Sequence, residues 1–340
     1  MRPCIRATPR PTTPWPKVSN PGMPQPILIT GGAGFIGANL SRRLQADGHQ
    51  VQVYDNLVNG DPARLPDGVP CIQGDVRDAE TLSSALQGMH TCIHLAAFGS
   101  VVDSVTDPHT NFTNNVEGTA NALECARRAG IRRFVFASTG GALIGEADPP
   151  VDETSLPKPI SPYGASKLCG EAYCHAYAKA YGLHTVALRF ANVYGPHSAH
   201  KKGAVTKFIK CLLRDEPMPI FGDGSASRDF LHVDDLCDGI VRGMAADVAP
   251  GEVFHLAGGK EIQILSLARQ LAAIAGKPEH PIQFHDKRPG EVARNFADYA
   301  KAQAVLGFQP TLDLQAGLTA TWQWFVEHKA HVLHQQETDA

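Results

Sequence analysis

The chain has 340 residues, 43% hydrophobic and 19% charged, which is ordinary globular composition with room for one large or two moderate domains. A net charge of −3 excludes a general attraction to nucleic acid, and no apolar run is long enough to span a bilayer. Eight cysteines are scattered without a Cys-x-x-Cys pair, which points to free thiols in a reducing, cytoplasmic setting rather than to zinc or disulfides.

Residues 1–25 carry many prolines, four basic residues (Arg2, Arg6, Arg10, Lys17) and no acid. They lack the apolar core of a secretory signal and are too proline-rich for a transit helix. A disordered tail is expected, with Met23 as a candidate natural start. Pro26-Ile27-Leu28-Ile29-Thr30 then reads as a buried first strand. Gly31-Gly32-Ala33-Gly34-Phe35-Ile36-Gly37 follows and opens a helical pattern at Ile36, Leu40 and Leu44. In that context Gly31, Gly34 and Gly37 permit a tight turn, close approach of a pyrophosphate and close helix–strand packing. Phosphates would sit at the helix start, beside Phe35 and Ile36, where free N–H groups and the dipole favour anions. The second strand ends at Asp55, at the spacing for adenosine ribose hydroxyls. A carboxylate there repels a 2′-phosphate and favours NAD over NADP.

The sheet continues through Cys71-Ile72. Asp75, followed by Val76, is placed either to meet the adenine or to make a plain turn. Residues 91–94 form a fourth strand, with Leu95, Ala96 and Ala97 in the loop after it. His94 lies inside an apolar run and reads as a satisfied core histidine. Residues 111–129 read as one long helix, and 132–137 as a fifth strand running into Ser138-Thr139-Gly140-Gly141. Ser161-Pro162-Tyr163-Gly164-Ala165-Ser166-Lys167 starts the next helix, since serine caps and proline suits the first turn. Tyr163 and Lys167 are four apart and leave the same face one turn from each other. An ammonium near a phenol favours the phenolate, which makes Tyr163 a candidate acid/base; in isolation the pair reads better as a solvated helix face. Alternating strands and helices predict an α/β fold with a parallel doubly wound (Rossmann) sheet. Ligands bind such sheets beyond the carboxyl ends of the strands, where Gly31, Asp55, Ala96, Thr139 and Asn192 all fall.

After residue 190 the alternation breaks. Asn192-Val193-Tyr194-Gly195-Pro196, an amphipathic helix through Val205, Phe208, Ile209 and Leu212, and Ser227-Arg228-Asp229-Phe230 introduce a smaller C-terminal α/β substrate-binding lobe. It is expected over 191–230 and 258–330, with the chain re-entering the 26–190 domain at about 231–257 and a tail at 331–340. Helices are expected around 299–306 and 312–330. His328, His331 and His334 are spaced by three, which reads as a solvated row rather than a metal site, and no metal is expected.

With these motifs in order, residues 26–330 resemble the extended short-chain dehydrogenase/reductase family, in its NAD-dependent nucleotide-sugar epimerase/dehydratase branch; the UDP-glucose 4-epimerase type is the most similar. The match rests on the glycine turn, Asp55-Asn56-Leu57-Val58-Asn59, Ser138-Thr139, Tyr163/Lys167, Asn192-Val193-Tyr194-Gly195, Arg228-Asp229-Phe230 and Arg288-Pro289-Gly290-Glu291. The resemblance implies roles for individual residues. Thr139 would bond the reacting sugar oxygen, Tyr163 would be the acid/base, and Lys167 would hold the nicotinamide ribose, with the aromatic Phe190 beside the nicotinamide. Asn56 and Asn59 would join Asp55 at the cofactor. Asn192, Arg228 and Arg288 would grip the nucleotide diphosphate of a UDP-sugar, and Glu291 its ribose. A homodimer through helices near 107–129 and 162–181 is also implied.

Departures narrow the chemistry. The 4,6-dehydratases place Asp-Glu after the catalytic threonine, where this chain has Gly140 and Gly141, so elimination lacks an evident catalyst. The glutamate of the UDP-xylose-forming decarboxylases is missing too. Ile144 replaces a usual tyrosine, and Gly99 a basic residue. Asn295 falls near the position whose bulk decides whether an N-acetyl group fits, which suggests a roomy sugar pocket. The expected activity is C4 epimerisation of a nucleotide sugar. The alternatives are a net-redox nucleotide-sugar reductase or dehydrogenase and, in another class, a non-catalytic NAD-sensing protein.

Overall fold

The computed structural model describes residues 24–287 and 292–334. The proline-rich segment with the candidate start at Met23, the last six residues, and the candidate ligands Arg288 and Glu291 lie outside the described residues.

The first half alternates β1 (Pro26–Thr30), α1 (Phe35–Ala46), β2 (Gln50–Asp55), β3 (Cys71–Gln73), α2 (Ala79–Ala85), β4 (Thr91–His94), α3 (Val101–Thr106), α4 (Pro108–Phe112), α5 (Gly118–Arg128), β5 (Arg133–Thr139), α6 (Gly141–Ile144), α7 (Pro162–Tyr181) and β6 (His184–Phe190). The second half adds β7 (Asn192–Tyr194), α8 (Ala204–Arg214), β8 (Met218–Phe221), β9 (Ser227–Arg228), β10 (Phe230–His232), α9 (Val233–Ala245), β11 (Glu252–Leu256), β12 (Ile262–Gln263), α10 (Ile264–Ile274), β13 (Ile282–His285), α11 (Ala300–Leu306), α12 (Leu314–Glu327) and α13 (Lys329–His334).

Seven parallel strands form the central sheet in the order β11-β6-β5-β4-β1-β2-β3. Both faces are covered, so β1, β4, β5 and β6 are buried over nearly their whole length, whereas β2, nearer the edge, alternates Gln50 and Gln52 with Val51 and Val53. Ile27, Ile29, Val53, Ile93 and Val135 pack on one face with Leu40 and Leu44 of α1 and Leu236 and Ile240 of α9. Leu28, Tyr54, Cys92, Phe134 and Phe136 pack on the other with Leu82 of α2, Leu123 of α5 and Cys174 of α7. Thus α9 and β11 return from the second half to complete the first. Around Phe208, Ile220, Leu271, Leu318 and Phe325 the C-terminal lobe has its own core. Its short strands pair as β7 with β10, β9 with β12 and β8 with β13.

His94 is buried as expected. Nδ1 meets Thr30 Oγ1 at 2.8 Å, Nε2 meets Thr119 Oγ1 at 3.2 Å, and burial pushes its pKa down to about 3. Two helices differ from the sequence expectation. The segment 111–129 is not uniformly α-helical, because a π turn spans Thr113–Glu117 between α4 and α5. The wide turn aims Asn115 at its neighbours: Oδ1 accepts from Phe98 N at 2.7 Å, and Nδ2 donates to Ser166 Oγ on α7 at 3.0 Å. The C-terminal helix breaks at His328, whose ring stacks on Trp324 at 4.4 Å while Nδ1 meets the Trp324 carbonyl. His328 is therefore packed, not part of a solvated row; the side chains of His331 and His334 are outside the described part. No described helix is long and apolar enough to cross a membrane.

Candidate active site

The carboxyl ends of β5 and β6 lie beside the start of α7. Thr139 closes β5 directly opposite Phe190, which closes β6, and Gly140 N donates to the Phe190 carbonyl at 3.0 Å. Helix α7 begins as its sequence dictates. Ser161 Oγ accepts from Gly164 N at 3.2 Å, with Pro162 in the first turn. From α3, Ser104 Oγ accepts from Tyr163 N at 3.2 Å. The helix sits close on the sheet because residue 170 is glycine: a Cβ there would come within 2.2 Å of the Phe136 ring. This approach buries Lys167, whose Nζ donates to the Ala137 carbonyl at 2.8 Å and lies 5.9 Å from the Tyr163 ring centre.

Burial lowers the Lys167 pKa to about 8 against the opposing charge of Glu171, and burial raises the Tyr163 phenol to about 12. The sequence expectation of a phenol drawn down by Lys167 is not met in this structure. The ammonium is turned onto a carbonyl, and desolvation of the phenolate dominates.

The glycine turn lies where the strand order reverses between β1 and β4. Gly31 has φ +68, and a Cβ on it would fall 2.6 Å from Ala96 N and 2.9 Å from the Leu95 carbonyl carbon. Gly34 caps α1 in extended conformation, with no side-chain cap and no acid in the first turn. A Cβ on Gly34 would meet only the Gly31 carbonyl oxygen within 4 Å. The first-turn N–H groups of Phe35, Ile36 and Gly37 thus face an open, uncapped helix start. Asp55 is buried at the end of β2. Its Oδ2 accepts from Ala33 N at 3.0 Å and its Oδ1 from Leu57 N at 2.9 Å, so the carboxylate also orders the turn. The Asn59 carbonyl accepts from Arg64, and Asn56 Oδ1 from Val58 N; both side chains are exposed. Asp75 forks onto Arg77 at 2.7–2.8 Å, which holds its pKa down at about 2, while Val76 packs in the core. Leu95 and Ala96 are half-buried after β4, and Ala97 is exposed.

The C-terminal lobe supplies the opposite wall. Asn192 opens β7 and donates from Nδ2 to the Asp229 carbonyl at 3.1 Å. Arg228 is half-buried on β9 and donates to the Ser227 carbonyl. The same lobe holds a cavity of about 730 Å³, lined by Phe221, Ala226, Glu261, Lys287, Val292 and Arg294 and by neither Asn192 nor Arg228. Lys287 and Val292 flank the segment that carries Arg288 and Glu291. Asp229, unremarked in the sequence except as part of its motif, knits this wall together. Its carboxylate accepts from Gly258 N, Gly259 N and Ala297 N at 2.7–3.3 Å, and burial raises its pKa to about 6.

A family model described as the NAD-dependent epimerase/dehydratase family matches residues 27–257. The chain is 38% identical over 309 residues to a UDP-glucose 4-epimerase of Mycolicibacterium smegmatis, covering 88% of this chain and 97% of that one. The chain belongs to the NAD-dependent epimerase/dehydratase family. Its fold matches the crystal structure of the Thermotoga maritima UDP-glucose 4-epimerase with UDP-glucose, at TM-score 0.86 and 36% identity over 89% of this chain and 99% of that chain. A dTDP-glucose 4,6-dehydratase of Streptomyces niveus is also similar, at 31% identity over 89% of this chain and 94% of the relative.

The residues present fit the family's NAD. A Cβ would close the turn at Gly31, the start of α1 is uncapped, and a carboxylate ends β2 where ribose hydroxyls would lie. The surroundings of the two glycines after Thr139 were not visible in the sequence. A Cβ on Gly141 would fall 2.8–2.9 Å from the Asn295 amide. Asn295 is 7% exposed. A Cβ on Gly140 would come within 3.1 Å of His255 Nδ1. Side chains from far along the chain therefore back both positions.

Proposed function

We propose that the protein is a UDP-sugar 4-epimerase. The observation that carries this is the crowding of Gly141 by the Asn295 side chain and of Gly140 by His255, which disfavours an eliminating acid beside Thr139. The glycines favour reversible oxidation at C4 over loss of water, although dehydratases are also relatives. When bound, NAD supplies a reversible hydride acceptor, through which a 4-keto sugar can form and be reduced. Tyr163 takes the proton of the sugar 4-hydroxyl and returns it, while Thr139 Oγ1 orients that oxygen. Lys167, fixed by the Ala137 carbonyl, supplies positive charge beneath the site. Asn192, Arg228 and Arg288 hold the nucleotide diphosphate, guanidinium forks being suited to phosphate oxygens, and Glu291 meets the nucleotide ribose. The free state of the described cysteines supports a reducing, cytoplasmic setting. Exposed Phe112 on α4 and Tyr173 on α7 support a homodimer through these helices.

The test is incubation with UDP- and dTDP-sugars without added NADH, with C4 stereochemistry read by NMR. The 4-epimer should appear without net redox. A 4-keto-6-deoxy product would assign the chain to the dehydratases, and dependence on external NADH to the reductases.

A further inference from the structure

Four buried polar side chains run beneath the Thr139 loop. Ser138 Oγ donates to Glu171 Oε1 at 2.6 Å. Arg189 forks onto the same carboxylate, Nε to Oε1 and Nη2 to Oε2, both at 2.9 Å. Its remaining edge, Nη1, meets His255 Nε2 at 3.4 Å. None of the four is more than 7% exposed, and His255 is fully buried. Each link adjoins a site residue. Ser138 precedes Thr139, Glu171 lies one turn beyond Lys167 on α7, Arg189 precedes Phe190, and His255 pairs with Arg189 across β11 and β6.

A guanidinium only donates, so Nε2 is the acceptor and the neutral ring carries its proton on Nδ1. Burial, then the Arg189 charge, pushes the ring's pKa down to about 4 against the nearby Asp152. Nδ1 has no hydrogen-bond partner among the described residues and faces Gly140; the Asp152 backbone is near enough to favour its proton but lies outside hydrogen-bond geometry. From β11, the His255 N–H is itself held by Glu153 Oε1 at 2.7 Å. The Glu171 pair already balances the Arg189 charge. What the imidazole adds is an acceptor for the last guanidinium edge, which would otherwise be buried unsatisfied, and a flat surface behind Gly140.

We propose that His255 is a positioning residue: through Arg189 and Gly140 it holds the Thr139 end of β5 in register with Tyr163 on α7. The kinetic half of the test rests on the 4-epimerase proposal; the spectroscopic half does not. In the purified, NAD-loaded protein, His255→Leu removes the acceptor at similar volume and His255→Gln restores one. His255→Leu should lower kcat for UDP-glucose epimerisation about tenfold, as expected for a small displacement of an aligned group. KM, bound NAD and Tm should stay near wild type, and His255→Gln should recover most of the loss. An unchanged kcat for the Leu variant, equal losses in both variants, or joint loss of NAD and Tm would overturn the proposal. Independently, ¹⁵N-histidine spectra should show a neutral, Nδ1-protonated ring at pH 7, assigned by its disappearance in His255→Gln. An Nε2-protonated or charged ring overturns the proposal even if the wild type turns over no UDP-sugar.

Discussion

Two glycine clusters border the candidate active site, and they do opposite things. At Gly31 and Gly34 the missing side chains leave the backbone bare beside an uncapped helix start, open to a ligand. At Gly140 and Gly141 the missing side chains are replaced by other parts of the same chain, His255 and Asn295. The first cluster makes room for a cofactor. The second is crowded by side chains of the chain itself. Glycine in a motif therefore does not announce its role, and what fills the absent Cβ decides it.

Both clusters serve one centre, so the largest effect should come from removing it. Tyr163→Phe should lower kcat about a thousandfold with bound NAD retained. Full turnover would show that neither cluster frames the chemistry at Tyr163. Next, Gly31→Ala places a Cβ against the Ala96 backbone in a left-handed conformation, at a cost of about 3 kcal/mol in stability. Purified protein should carry little NAD, and no second-site side-chain substitution should restore it, because the obstruction is backbone. Gly141→Ala should cost about 1–3 kcal/mol by overpacking against Asn295, read as a lower urea midpoint and reduced turnover. Here Asn295→Gly in the same chain should rescue both, because the obstruction is a side chain. Rescue at Gly31 or none at Gly141 would erase the contrast.

The smallest effect concerns Asp75 on the cofactor side. Its carboxylate is bound to Arg77, with the two side chains 28% and 45% exposed, so Arg77→Ala should cost about 1 kcal/mol or less. The folded pKa, about 2, lies below the ordinary 3.8. This contribution is therefore present above pH 3.8 and lost as pH falls toward 2, and acid unfolding of Arg77→Ala should begin at slightly higher pH than that of wild type. If Asp75 also meets the adenine, the same variant should alter NAD retention at neutral pH.

Much of this was legible in the sequence where the determinants are local. The apolar strands, the turn from Gly31 to Gly37, Asp55 at the end of β2 and the cap of α7 at Ser161 depend on neighbours within a few residues, and strand and helix periods report such neighbours directly. The parallel order follows from alternation, since helical crossovers between strands leave few topologies. Less legible were elements whose geometry is set from outside. The π turn at Thr113–Glu117 has no composition signal, and the break at His328 follows ring stacking on Trp324. Spacing places Lys167 one turn from Tyr163 but says nothing of the Ala137 carbonyl that accepts from its ammonium or of the burial that raises the phenol's pKa.

By itself, then, the sequence determined the sheet, the cofactor turn and the Tyr163/Lys167 pair as candidates, because each is written in short-range pattern, while the role of Thr139 came from resemblance to a family. Only the tertiary structure decided what stands behind Thr139. Asn295 is 154 residues from Gly141 and His255 is 115 from Gly140, and no periodicity links positions so far apart. They meet because β11 pairs with β6, while Asp229 draws Ala297 against Gly258 and Gly259.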